Sequence, residues 1–267
     1  MIPQGFNYSQ SSLTAFARCR RQFLLRYVER LAWPAPLTDQ LDEWEAAADR
    51  GRAFHQFVLQ ESLGMDVEDA VQRSRDPLLA AWWRNWREQP PVVPEGAVFG
   101  ETMLSVPLAG RRLVAKFDRV VLADDGRAWI FDWKTGRKKP EQAAYAQSWQ
   151  TLVYRFVLVE AGAVLNEGRS PTPDDVVLVY WHAQYPQALQ PITYSAVEHE
   201  RTRALLSEAI ADIEALPDAD AFAKTDDEGE CQRCQFHTYC NRPAARSDDW
   251  DIDEDELDWE QVPEAEL

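Results

Sequence analysis

The chain predicts an α/β domain, with a central mixed sheet built on an antiparallel meander and flanked by helices. Three observations carry that expectation. Apolar residues recur at helical spacing in the N-terminal part, the pattern switches to period two between Phe99 and Lys134, and helical and strand-like tracts follow Pro140.

Taken in order, Ser11 or Ser12 is placed to cap a helix running to about Leu31, because Leu13, Phe16, Phe23, Leu24, Tyr27, Val28 and Leu31 share one helical spacing. Pro34 and Pro36 end it. A second helical tract, from about Thr38 to Leu63, contains GRAFHQFV, and a third, around Asp76 to Gln89, carries Trp82, Trp83 and Trp86. PPVVP at 90–94 breaks the chain before the change of period. The three strands of the meander turn at Ala109-Gly110 and at Asp124-Asp125-Gly126. A helix then extends from Pro140 to about Glu160, VVLVYWHA at 176–183 reads as a buried strand, Thr193 closes a further short strand, and a last helix runs from Ser195 to about Leu216. There is no internal repeat.

With 267 residues, 45% of them hydrophobic, the chain can bury a large core, and one domain is expected over 1–246. MIPQGFNYSQ lacks the basic flank and apolar stretch of a secretory signal, and no apolar run is long enough for a bilayer, so a cytoplasmic protein with no membrane partner is expected. The formal charge of −17 argues against a nucleic-acid partner until its distribution is considered. Eleven of the acidic residues lie in Ser247–Leu267, which has no Lys or Arg, so the rest of the chain carries only −6. Residues 247–267 are expected to be a disordered acidic tail, able to dock a basic protein partner or to mimic DNA. Two basic clusters remain for a groove: Arg18, Arg20, Arg21, Arg26 and Arg30, and Arg137, Lys138 and Lys139.

WIFDWKTG concentrates the chemistry. Strand alternation sends Asp132 and Lys134 to one side and Trp129, Phe131 and Trp133 to the other, which is costly unless the polar pair meets solvent, a metal or a substrate. In the preceding strand, RLVAKFDRVVL, Asp118 interrupts an apolar alternation, and a hairpin through Asp124–Gly126 brings it beside Asp132. Two carboxylates held that close repel, and a divalent cation relieves the repulsion. Mg²⁺ or Mn²⁺ there would activate water for phosphate hydrolysis, with Lys134 placed to orient the nucleophile or neutralise developing charge. By itself D-x-K is a weak pattern that surface ion pairs produce more often than active sites do.

All four cysteines fall near the ends of the folded part: Cys19 in the first helix, then Cys231, Cys234 and Cys240 as C-x2-C-x5-C. Ligation of one metal centre is the natural reading in a cytoplasmic chain, and it would fasten the C-terminal part to the first helix. The spacing accommodates zinc as readily as an iron–sulfur cluster. His237 lies within the loop, where a bystander is the commoner reading and a substitute ligand the alternative.

GRAFHQFV, AKFDRVVL, FDWKTG and QTLVY, in that order, resemble the RecB-like branch of the PD-(D/E)XK nucleases, a group that includes nuclease domains of bacterial recombination helicase–nucleases and CRISPR-associated RecB-like exonucleases. The resemblance, in scattered motifs from Tyr8 to Cys240, implies a restriction-endonuclease-like core. It implies that His55, Asp118 and Asp132 bind the catalytic metal, joined by the backbone carbonyl of Trp133, that Lys134 is catalytic, and that Gln150 and Tyr154 contact the active site or the DNA. Glu101 falls where some members carry a further acid. It also implies that Cys19, Cys231, Cys234 and Cys240 hold a structural [4Fe–4S] cluster. Ala115 stands where the family usually has Gly, and Arg20 where Pro is usual, but neither departure removes a ligand. The implied activity is a Mg²⁺- or Mn²⁺-dependent deoxyribonuclease, an exonuclease or flap-type enzyme acting on single-stranded DNA ends in repair, recombination or CRISPR adaptation. No G-x-x-x-x-G-K-[ST] motif provides a helicase motor. Two other readings stand beside it: a non-catalytic DNA-end or partner-binding subunit, and a zinc-stapled interaction protein.

Overall fold

A computed structural model describes residues 2–31, 39–137, 139, 141–188, 190–232 and 234–242, without the side chains of residues 39–45. Thr38, Lys138 and the expected tail at 247–267 lie outside the described residues.

The first strand, β1 (Asn7–Tyr8), leads into α1 (Gln10–Arg18). Its N-cap is Ser9 and not Ser11 or Ser12: Ser9 Oγ accepts the Ser12 N–H at 3.3 Å while Ser12 Oγ accepts the Ser9 N–H at 2.9 Å, a reciprocal capping box. The long helix expected to Leu31 is interrupted at Cys19, whose backbone is extended at φ −159° and ψ 116°. Helix resumes in α2 (Arg20–Phe23) and runs into a π turn at Leu24–Val28. A tertiary contact explains the break, since the amide of Arg21 donates to the Ala223 carbonyl at 3.1 Å. Three helices follow: α3 (Asp39–Ser62), α4 (Glu68–Ser74) and α5 (Pro77–Glu88), the last capped by Asp76 with proline in its first turn.

The meander forms as expected, from β2 (Gly96–Leu108), β3 (Arg111–Ala123) and β4 (Ala128–Lys134). Its first turn uses left-handed backbone at both Ala109 (φ 50°) and Gly110 (φ 76°), the twist that a two-residue hairpin requires. The predicted helix after Pro140 divides into α6 (Gln142–Ala146) and α7 (Trp149–Ala161), with Ser148 capping α7. Then come β5 (Val176–His182), β6 (Ile192–Thr193), α8 (Ala196–Glu214) and the short α9 (Glu228–Gln232).

The six strands make one mixed sheet in the order β1-β3-β4-β5-β6, with β2 along the other edge of β3. β2 and β3 are antiparallel, as are β3 and β4, while β4 and β5 are parallel with Asp132 beside Tyr180 and Lys134 beside His182. β1 pairs with β3 only at Arg112 and Leu113, and β4 only from Arg119 to Leu122, so the middle of β3 has no ladder partner on that edge.

A hydrophobic core covers each face. On one, Leu113, Phe117, Val120, Ile130 and Leu178 pack with α1, α7 and α8. α7 is buried along nearly its whole length, its apolar residues filling the core while Gln150, Thr151 and Arg155 are buried among them. On the other, Phe54 and Val58 of α3 and Trp82, Trp83 and Trp86 of α5 pack on Phe131, Trp133 and Trp181. Phe54 stacks on Trp181 with ring centroids 5.7 Å apart. These tryptophans are core residues. No helix among the described residues is long and apolar enough to cross a membrane.

Because Phe54 is fully buried and adjoins His55, Phe54→Ala should destabilise the fold by about 3–5 kcal/mol. Urea unfolding checks this, and an unshifted midpoint would mean α3 is not anchored through that ring.

Candidate active site

The sheet opens where the polar residues stand. The β3–β4 ladder ends at Arg119 opposite Phe131, and the same register carried one step further would set Asp118 opposite Asp132. There the strands part, and Asp118 Oδ2 accepts the Trp133 N–H at 2.8 Å, replacing a ladder bond. On the other side of β3, the β2 pairing skips Glu101 and Asp118 between Gly100–Arg119 and Thr102–Phe117. Glu101 is left-handed at φ 47°, a conformation that bulky residues seldom adopt. Core-facing positions shift phase at this point in both strands, from Phe99 to Leu104 in β2 and from Phe117 to Val120 in β3. The kink leaves Glu101 and Asp118 lining the same cavity of about 310 Å³.

One face of α3 supplies the opposite wall, through Arg52, His55, Gln56 and Leu59. His55 Nδ1 lies 3.1 Å from Asp118 Oδ1. Ligand atoms of His55, Glu101 and Asp118 all fall within 4.8 Å of one another, close enough to hold one metal ion. Burial works against ionising Asp118, but His55, the Trp133 N–H and Lys134 outweigh it and hold its carboxyl below the ordinary range. Glu101 also pairs with Lys116 at 2.5 Å. An imidazole and two carboxylates fit a divalent cation of the oxygen- and nitrogen-binding kind.

Asp132 and Trp133 line the same cavity. Asp132 is 3% exposed and its two oxygens are held separately, Oδ2 at 2.9 Å from Lys134 Nζ and Oδ1 accepting from Gln150 Nε2 at 3.0 Å. Gln150 also donates to Tyr154 Oη at 3.2 Å, so one turn of α7 orients the carboxylate. Lys134, 4% exposed, has its ammonium 5.4 Å from the centroid of the Tyr180 ring, and the Tyr180 hydroxyl bonds Thr151 Oγ1 at 2.7 Å. The sequence reading did not single out Tyr180, Thr151, Arg52, Gln56 or Lys116. Arg52 and Gln56 flank His55 on its own helix face, a spacing available in the sequence. Tyr180 enters through the parallel pairing of β4 with β5, which no local pattern announces.

The cysteines gather at the other end of α1. Cys19 at the helix break, Cys231 on α9, and Cys234 and Cys240 beyond it line one cavity with Lys224, Phe236 and His237. Burial pushes the thiols of Cys231 and Cys240 up, and Cys234 up to about 12, each helped by its sulfur neighbours. A bound cation would reverse that preference by stabilising the thiolates. The Phe236 N–H already donates to Cys234 Sγ at 3.4 Å, as ligating sulfurs are commonly supported. Four sulfur donors therefore share one cavity, and thiolate is the donor type of a Cys₄ centre.

Acids and an imidazole converging beside a buried aspartate–lysine pair are the equipment of metal-assisted hydrolysis. The chain belongs to the PD-(D/E)XK nuclease superfamily, whose family model matches residues 7–241. Membership implies a metal-dependent nuclease acting by hydrolysis. No curated protein matches the chain. Among the solved structures that align, two illustrate the low level of similarity. The crystal structure of SSO0001 is 14% identical with a TM-score of 0.41, over 88% of this chain and 85% of that one. A structure from Eubacterium rectale, provisionally named an exonuclease, is 12% identical with a TM-score of 0.44, over 79% of this chain and 80% of that one. At these values neither likeness bears on function.

Replacing Gln150 by Leu should loosen Asp132 and weaken Mn²⁺ binding by about 10–100-fold, the usual effect of losing a group that orients a ligand. Asp118→Asn should weaken it at least as much. Calorimetric titration measures both; wild-type affinity in the two variants would place the ion elsewhere.

Proposed function

We propose that this chain is a deoxyribonuclease that hydrolyses single-stranded DNA from its ends with Mg²⁺ or Mn²⁺. The observation that carries the reading is the convergence of His55, Glu101 and Asp118 in a cavity that Asp132 also lines. His55, Asp118 and Asp132 are proposed to hold the ion with the Trp133 carbonyl, and Glu101 to join them. Bound there, the ion would polarise the scissile phosphate and lower the pKa of an attacking water.

Lys134 is proposed as the catalytic ammonium. Tyr180 and Asp132 restrict its position, so it meets developing negative charge without reorganising. Gln150 and Tyr154 are proposed to fix Asp132 and to meet the substrate strand at the cavity wall. The cysteine centre is proposed as a structural [4Fe–4S] cluster held by Cys19, Cys231, Cys234 and Cys240, as the resemblance to the iron–sulfur RecB-like nucleases implies. Repair, recombination or CRISPR adaptation is the corresponding cellular setting.

Incubation of labelled single-stranded, duplex and flapped DNA with Mn²⁺ tests the activity. Asp132→Ala and Lys134→Ala should each slow cleavage by at least about 10²-fold. Removing one partner of a buried pair also costs stability, so circular dichroism and the double variant, which restores neutrality, accompany the assay. Cleavage that continues at the wild-type rate in folded variants would overturn the assignment. Separately, Cys231→Ser should lower the melting temperature and the content of iron and acid-labile sulfide. Stoichiometric zinc without iron in the wild type would overturn the cluster.

A further inference from the structure

A second cavity, of about 240 Å³, adjoins the first, and Gln10 and Gln150 line both. Its chemistry is different. The first contains three carboxylates, whereas the second is lined by Arg18, Gln22 and Arg26 on one side and by Ser148 and the first α7 residues Trp149 and Gln150 on the other, with no acidic side chain. Arg18, Gln22 and Arg26 are four residues apart, and this spacing is kept through the interruption at Cys19 and the π turn at Leu24–Val28. The N-terminus of α7, a helix of thirteen residues, borders the same space and adds the positive end of its dipole.

Both arginines have neighbours that position them. Arg18 Nε lies 3.9 Å from Glu230 Oε2, and the Arg26 guanidinium sits 5.3 Å from the centroid of the Tyr27 ring. Half-buried, they place two guanidinium groups beside a site that would hold a scissile phosphate. Trp149 is half-buried and offers an aromatic surface against which an unpaired base can stack. A strand with one end in the first cavity must place its next nucleotides somewhere. The acid-free cavity that shares Gln10 and Gln150 with the first is the neighbouring space with matching charge.

We infer that this groove binds the single-stranded DNA flanking the bond to be cut, with Arg18 and Arg26 on phosphates, the glutamine amides on backbone or base edges, and Trp149 on a base. The inference rests on the nuclease reading above, because the direction of the strand is taken from the metal-binding cavity. It assigns Arg18, Gln22, Arg26 and Trp149 a substrate-binding role outside the family's motif residues.

The test measures binding and chemistry separately on the full chain. Affinity for a labelled oligothymidine is followed at several salt concentrations with Ca²⁺ in place of the catalytic ion, in the wild type, in Arg18→Gln/Arg26→Gln, and in Gln22→Glu. The last keeps side-chain size and remains informative if the double variant folds poorly. Each arginine removed should reduce the slope of log Kd against log salt by roughly 0.7, the contribution of one phosphate contact on a single strand. Affinity should fall at least ten-fold in the double variant and also in Gln22→Glu. Hydrolysis of a p-nitrophenyl phosphodiester, small enough to occupy only the first cavity, should keep its wild-type rate in all of them. Wild-type affinity and salt slope in folded variants that still degrade DNA would overturn the groove and leave the nuclease standing. A wild type that binds with the groove-dependent slope but cleaves nothing with any divalent ion would overturn the nuclease reading and leave the groove as a binding site. Equal losses on a duplex would overturn the assignment to a single strand.

Discussion

One carboxylate decides how the sheet ends. Strands β3 and β4 form four register pairs, and the next pair would force two aspartates face to face in the interior. Asp118 instead accepts the amide of Trp133, which the separating strand would otherwise leave unbonded. An unpaired buried backbone amide is costly, so this bond fixes where the strands separate. The cavity, the approach of α3 and the placement of Asp132 all follow from that separation.

Around it the protein carries a buried charge network. Asp132 and Lys134 are both nearly inaccessible, and removal from water disfavours each charge by itself. They persist because each charge has partners of the right sense. Gln150 donates to one carboxylate oxygen, Lys134 approaches the other, and the Tyr180 ring presents its electron-rich face to the ammonium. Such a network is stiff. Its rigidity suits a site that must stabilise charge without rearranging, and it accounts for the burial of α7, whose first turn supplies Gln150 and whose remainder fills the core.

The cysteines solve a different problem. Cys19 and Cys231 are separated by most of the chain, and the helix break that exposes Cys19 is matched by the Arg21–Ala223 backbone bond. A centre joining them would close a very long loop and remove much of the freedom of the unfolded chain. It would also set the position of α1, and through Arg18, which pairs with Glu230, one side of the cavity beside that of Asp118 and Asp132. On the proposed reading, fold stability and substrate binding would share one element.

Much of this was legible in the sequence. Period-two alternation with Ala109-Gly110 and Asp124–Gly126 gave the meander, because strand period and turn backbone are local properties, and the hairpin register alone brought Asp118 level with Asp132. Apolar spacing likewise gave α5, α7 and α8. Other features needed the tertiary structure. The break at Cys19 depends on a carbonyl two hundred residues away in sequence. The left-handed Glu101 and the phase shift across β2 and β3 arise from how the two strands kink together, and they bring Glu101 to His55. The Tyr180–Lys134 contact comes from parallel pairing, and the groove from two helices whose facing residues are far apart in the chain. Local periodicity can specify which residues share a face; only long-range packing decides which faces meet.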